Sequence, residues 1–218
     1  MILSGIIKKI LEIVQNVLVP ENTQIQKLLN MPTGTLRELL PKSPVYSKDI
    51  FVLFDYQNKI VRNLVKSIKY KNNTNLRKLL AKFLYEEILD ISMEVALFEG
   101  RMPLLVPMPM SRLEKKKRGF NQCEELCQEI KKLGGENITV SYNTLKKIRE
   151  TERQATLDRK QREQNVKNSM SVQCPTMGKI KTVIVLDDVF TTGATLAEAR
   201  RALLSAGARR VIGVFIAH

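Results

Sequence analysis

The stretch that most constrains this chain is its C-terminal one, KTVIVLDD followed by VFTTGATLAEARRALLSAG and then RRVIGVFIA. The first and last segments are apolar runs of strand length, and both read as buried strands. Between them, TLAEARRALLSAG reads as a helix, with a capping box at Thr195 and Glu198 and a terminating glycine at Gly207. Strand, loop, helix and strand in this order form a βαβ unit, which requires a parallel sheet covered on both faces. The fold class is therefore α/β.

Within that unit, the strand ends on two adjacent carboxylates. In a parallel sheet ligands bind beyond the carboxyl ends of the strands, and Asp187 and Asp188 occupy that end. Directly after them, TTGAT (Thr191, Thr192, Gly193, Ala194, Thr195) supplies backbone amides, hydroxyls and a permissive glycine at the start of a helix. Amide donors and the positive end of a helix dipole converge there, which makes a phosphate cradle. The aspartates repel a phosphate and suit a sugar diol or a hydrated magnesium ion. One loop can thus hold a ribose 5-phosphate, with carboxylates on the 2- and 3-hydroxyls. A receiver-domain reading fails because too few residues follow Asp188 to supply the further aspartate and lysine. A nucleotide P-loop needs GxxxxGK[ST], which does not occur. A bare helix-opening turn accounts for Gly193 and Thr195 but leaves the adjacent carboxylates unexplained.

Charge supplies a second constraint. Of the 218 residues, 36 are Lys or Arg and 22 are Asp or Glu, a net charge of +14. That excess calls for an anionic partner, whether phosphate ester, nucleic acid or membrane surface, or else for a solvated basic face. The basic residues concentrate in 66–82, 112–118 and 145–167, near loops. A 44% hydrophobic content is enough for a core and excludes a wholly disordered chain. Cys123, Cys127 and Cys174 contain no CxxC pair, and the only histidine is His218, so they read as thiols and no zinc site is expected. An odd cysteine count without a secretory signal fits a reducing, cytoplasmic compartment.

Residues 1–20, MILSGIIKKILEIVQNVLVP, are interrupted by Lys8, Lys9 and Glu12 and lack a cleavage pattern, so neither a targeting signal nor a stable membrane span is expected. Their apolar positions recur at helical spacing, giving an amphipathic helix that packs on its own protein or docks on a membrane surface. Pro32, Gly34, Pro41 and Pro44 punctuate a helical preface over 1–49, ahead of a domain over 50–218. There IFVLFDY (50–56) reads as a strand, 58–70 and 74–90 as helices, and RMPLLVPMPM as a buried strand that breaks up at Pro107 and Pro109. The residues after it read as basic and flexible. Asn121 opens the next helix, with Glu124 placed to complete a capping box, and Gly134 and Gly135 stop it. NITVSYNTL (137–145) reads as a strand. The charged stretch IRETERQATLDRKQREQNV is a mobile loop or a solvated helix.

VIVLDDVFTTGAT closely resembles the phosphoribosyl pyrophosphate (PRPP) motif of type I phosphoribosyltransferases. Upstream, VPMPMSRLEKKKRGFNQ (106–122), with Arg149, Thr151, Gln154, Leu157, Arg162, Asn165 and Val166 in an RxTxxQxxLxxxxRxxNV pattern, resembles the ComF family of competence-associated proteins. IKY at 68–70 fits as well. The likeness covers roughly residues 50–218, with three motifs in the family's order. It implies a phosphoribosyltransferase-like parallel sheet flanked by helices, and a link to uptake of single-stranded DNA and to other competence proteins. It also implies that Asp187 and Asp188 contact the ribose hydroxyls, Thr191 to Thr195 the 5-phosphate, and the Pro107, Met108, Pro109, Met110, Ser111 turn the pyrophosphate. Arg149, Thr151, Arg153 and Gln154 would belong to a flexible loop closing over the site. Many relatives carry an N-terminal four-cysteine zinc ribbon, whereas the first cysteine here is Cys123, so residues 1–49 replace or have lost that module.

Two functions follow. As an enzyme, the chain would displace pyrophosphate from C1 of PRPP with a nitrogen nucleophile, Asp187, Asp188 and Arg149 being the catalytic residues. Mg2+ on the pyrophosphate, with Arg149 and Arg153, would offset the leaving-group charge. As a binding protein for single-stranded DNA, it would use the pocket as a sensor or DNA-end site, with Lys115, Lys116, Lys117 and Arg118 as the nucleic-acid contact. The absence of Trp, with 5 Tyr and 7 Phe, leaves few stacking platforms for that role. Phe120, in the RGF segment, serves either as such a platform or as a core residue.

Overall fold

A computed structural model describes residues 21–44, 46–151, 165–173 and 180–218. The amphipathic segment 1–20, the loop residues Arg153, Gln154, Leu157 and Arg162, and Cys174 lie outside the described residues. The main sheet has β1 (Tyr46–Ser47), β2 (Ile50–Phe54), β3 (Leu104–Pro107), β4 (Thr139–Val140), β7 (Thr182–Val189) and β8 (Arg210–Ala217), in the order β1-β2-β8-β7-β3-β4. Only β1 is antiparallel to its neighbour; β2, β8, β7, β3 and β4 form a parallel sheet. With helices on both faces, this is the α/β, phosphoribosyltransferase-like arrangement expected from the sequence. β5 (Leu145–Lys147) and β6 (Met170–Val172) make a separate antiparallel hairpin.

Strand alternation sorts the core into two layers. Ile184, Leu186, Ile212, Val214 and Ile216 face one core, shared with α3 (Lys59–Tyr70), α4 (Thr74–Glu99) and α6 (Gln122–Gly134). Val183, Val185, Val211 and Phe215 face the other, with Leu196, Ala199 and Leu203 of α7 (Ala194–Ser205) and Leu145 and Met170 of the hairpin. The first core also takes Ile25 and Leu28 of α1 (Glu21–Leu29) and Leu36 of α2 (Thr33–Leu39), so the described part of the preface packs into the same interior as the sheet.

Several local expectations change. The helix read over 74–90 continues to Glu99 and stops at Gly100, whose φ of 70° suits glycine. The segment after β3 is ordered: Ser111 Oγ accepts from the amide of Glu114 at 3.2 Å and caps α5 (Arg112–Arg118), which ends at Gly119 with φ 85°. NITVSYNTL divides into β4 and the start of β5, because a turn in which Thr144 Oγ1 donates to Ser141 Oγ at 2.8 Å carries the chain from one sheet to the other. The capping box at Thr195 and Glu198 does not form. The cap of α7 lies two residues earlier, at Gly193, and Glu198 instead accepts from the backbone amide of Met170 at 3.0 Å and from Arg201.

Candidate functional site

The chain runs from β3 outward to β4, and from β7 in the opposite direction to β8, so the sheet's topological switch point lies between β3 and β7. A crevice opens beyond the carboxyl ends of such a pair. Met108 continues the pairing, its amide donating to the Leu186 carbonyl at 2.8 Å, which sets the Pro107–Ser111 turn beside the end of β7. The side chain of Asn121 secures that turn by donating to the Met108 carbonyl at 3.0 Å, while its Oδ1 caps α6 through the amide of Cys123 at 2.9 Å. Glu124 accepts from the Asn121 side chain at 3.4 Å and pairs with Lys115 at 2.6 Å, in place of the expected capping box.

β7 runs through both aspartates to Val189, and its alternation turns them to opposite faces. Asp188 is 5% exposed. It pairs with Lys69 of α3 at 2.9 Å and accepts from the side-chain amide of Gln122 on α6. Asp187 is half-buried, and its Oδ1 accepts from the amide of Asp188 at 2.8 Å and from the Cys123 thiol at 3.6 Å. Burial, reinforced by the charge of Asp188, pushes the Asp187 carboxyl up to about 7. Burial also pushes the Cys123 thiol well up, with the two aspartates adding to it. For Lys69, burial works to lower the amine, but the Asp188 carboxylate overcomes it and the net shift is upward.

After β7 the chain turns at Phe190, whose amide donates to the Ala217 carbonyl at 2.8 Å, and reaches Gly193 at φ 79°. The φ of Gly193 favours glycine at this turn, and a Cβ there would crowd the Phe190 ring at 3.2 Å. Thr191 is exposed, Thr192 Oγ1 accepts from the Ala194 amide at 3.4 Å, and Ala194 and Thr195 open α7. Thr191 to Thr195 therefore surround a helix N-terminus one strand-end from the carboxylates.

The hairpin brings one lysine into the field of Asp187. Lys147, at the end of β5, is lowered by burial and lies in the field of Glu114, Glu150 and Asp187. Arg149 donates to the carbonyls of Asn165 and Lys167 at 2.9 and 2.8 Å. Thr151 is half-buried. Ser111 is buried and engaged: besides capping α5, its hydroxyl helps hold the Glu150 carboxylate below its ordinary range, and Glu150 accepts from the Leu113 amide at 3.1 Å. Pro109 and Met110 are half-buried, and Met108 is buried.

In the basic segment, Lys116 and Lys117 are exposed, Lys115 is paired with Glu124, and Arg118 donates to Gln122 Oε1 at 2.5 Å. Phe120 is half-buried. Lys69 and Gln122, which engage Asp188, are not marked out by residue type in the sequence, although each lies inside a segment (IKY or GFNQ) that carries the resemblance. Among the described residues no helix is long and apolar enough to cross a membrane.

No protein-family model matches the chain. It is 31% identical over 151 residues to a DNA utilization protein YhgH of Salmonella typhi, covering 68% of this chain and 63% of that protein. It is 28% identical over 149 residues to the Escherichia coli K12 DNA utilization protein YhgH, with the same coverage, 68% and 63%. It is also 28% identical over 168 residues to Competence protein F of Haemophilus influenzae, covering 76% of this chain and 71% of that protein. The chain thus spans 63% of the length of these two YhgH proteins. Similarity to a competence protein and to DNA utilization proteins over most of its length relates this chain to the ComF family.

Proposed function

We propose that the crevice between β3 and β7 binds PRPP or a related ribose 5-phosphate with Mg2+, in a protein that serves DNA uptake. The observation that carries this reading is the placement of Asp187 and Asp188 at the end of β7. They stand immediately before a Gly193-dependent turn into α7 and beside the turn that ends β3. Amides and hydroxyls of Thr191 to Thr195 take the 5-phosphate. Asp187, the more accessible carboxylate, takes the ribose hydroxyls, and Asp188 joins it when Lys69 turns to the ligand.

The donor set fits magnesium, which is held by one or two carboxylates together with substrate oxygens. Cys123, Asp187 and Asp188 bring a ligand atom each within 4.8 Å, but the thiol is raised by burial and stays protonated, so the carboxylates are the ligands suited to it. Bound magnesium would neutralise charge on the pyrophosphate. Turnover would form a bond from a nitrogen nucleophile to C1 and break the C1–O bond to pyrophosphate.

A second reading is a non-enzymatic single-stranded DNA-binding competence factor with the pocket as sensor or DNA-end site. Hydrogen bonds that run from Asp188 through Gln122 to Arg118, in the basic segment, favour it. Calorimetric titration with Mg2+ and PRPP, with pyrophosphate release followed in parallel, tests both. Binding that falls at least tenfold in Asp187→Asn supports the pocket; binding without release in the presence of nucleobase acceptors supports the sensor. Absence of PRPP binding to the unaltered protein sinks the pocket reading.

A further inference from the structure

Composition offers few rings for stacking, but one of them is unusually placed. Tyr70, the last residue of α3, is 70% exposed, and the Arg118 guanidinium carbon lies 5.2 Å from its ring centroid. An aromatic of that exposure keeps most of its surface in water, which a core role does not explain. Arg118 in turn donates to Gln122, and Gln122 to Asp188, while Lys69, adjacent to Tyr70, pairs with that same carboxylate. One ring–cation contact and two hydrogen bonds therefore join the ring to the strand-end site.

The surroundings are cationic. Lys66 is exposed one turn before Tyr70 and on the same face of α3, and Lys116 and Lys117 are exposed beside Arg118. A free nucleobase would be read in an enclosed, mostly apolar site with a few placed polar groups. An open ring among cations suits a polyanion whose bases stack without sequence preference. We propose that Tyr70, fixed by Arg118, is a base-stacking platform for single-stranded DNA, with Lys66, Lys116 and Lys117 on the flanking phosphates. This rests on the DNA-handling side of the proposed function and gives it a location: a strand with its terminal sugar-phosphate near Asp188 passes its neighbouring bases over Tyr70.

The test is fluorescence anisotropy of a labelled oligothymidylate with the full chain. Tyr70→Ala is expected to weaken binding about tenfold, from the ~1–3 kcal/mol that one stacked base contributes, and Tyr70→Phe to restore it. Tyr70→Ala leaves the salt dependence unchanged, whereas Lys116→Ala/Lys117→Ala flattens it, by a slope of about 0.7 per lost phosphate contact. Independently of any variant's folding, an oligonucleotide carrying 5-iododeoxyuridine is expected to photo-crosslink at Tyr70. Unchanged affinity in a folded Tyr70→Ala, or crosslinks confined to other residues, overturns the proposal. So does an unaltered protein that binds no oligonucleotide, and that result leaves PRPP binding untouched. Loss of PRPP binding in a protein that still crosslinks at Tyr70 strikes only the pocket.

Discussion

At the scale of single residues, the two neighbouring aspartates are chemically unlike. Asp188 has an ammonium at 2.9 Å and an amide donor, so its charge is matched. Among the described residues Asp187 has neutral donors alone, the Asp188 amide and the Cys123 thiol, and its carboxyl is raised from 3.8 to about 7. A folded-state value above the unfolded one means that the folded protein binds more protons between the two, so stability falls as pH rises from about 4 through 7. Asp187→Asn removes that loss. It is expected to raise the urea midpoint at pH 8, by an amount that corresponds to about 1–4 kcal/mol of unfolding free energy, and to have little effect at pH 4. Paired urea titrations of parent and variant at the two pH values check this; a gain that is equal at both would show that the carboxylate does not titrate in this window. Ligand binding runs the other way: if the ionised Asp187 meets the ribose hydroxyls and magnesium, PRPP affinity rises with pH through about 7.

At the scale of elements, the β7–loop–α7–β8 unit was legible because everything it needs is contiguous: apolar strands, a glycine turn and an amphipathic helix. What the sequence did not reveal depends on partners far along the chain. Lys69 reads as one lysine among many until α3 is laid against the end of β7, and Glu198 reads as a capping residue until the hairpin amide of Met170 reaches it. NITVSYNTL reads as one strand because its pattern carries no mark of the change of sheet. The glycine turn gives the element's own prediction. Gly193→Ala places a side chain at φ 79° with its Cβ 3.2 Å from the Phe190 ring, so it is expected to cost about 1–2 kcal/mol and to displace the start of α7. The loss should appear in PRPP or inorganic phosphate affinity beyond what the change in thermal midpoint accounts for. An alanine variant with parental phosphate affinity would overturn the proposal that Thr191 to Thr195 bind an anion.

At the scale of the whole molecule, the sequence divides at about residue 49, where proline and glycine punctuation gives way to a strand, but burial does not follow that division. Leu36 of α2 is fully buried in the core that also holds Leu64 of α3, Phe83 and Leu84 of α4, and Ile212 and Ile216 of β8. Arg37 reaches Glu86 on α4, and β1, just after α2, pairs with β2. Punctuation reports where the backbone turns; it carries no information about which surfaces an element covers afterwards. β8 pairs with β7 on one side and with β2 on the other, so one edge of the last strand of the described sheet is satisfied by the first half of the chain. Loss of packing at α2 is therefore expected to reach β8, the strand that follows α7. Leu36→Ala is expected to cost about 2–5 kcal/mol, the range for a fully buried leucine, and to do so in a single transition with an unchanged denaturant slope. Amide hydrogen exchange measured by mass spectrometry separates this from a detachable preface: protection should fall together in 33–40 and in 210–217 if the core is common. A variant that loosens 33–40 while 210–217 keeps its parental protection would mean that α2 folds onto an already stable sheet.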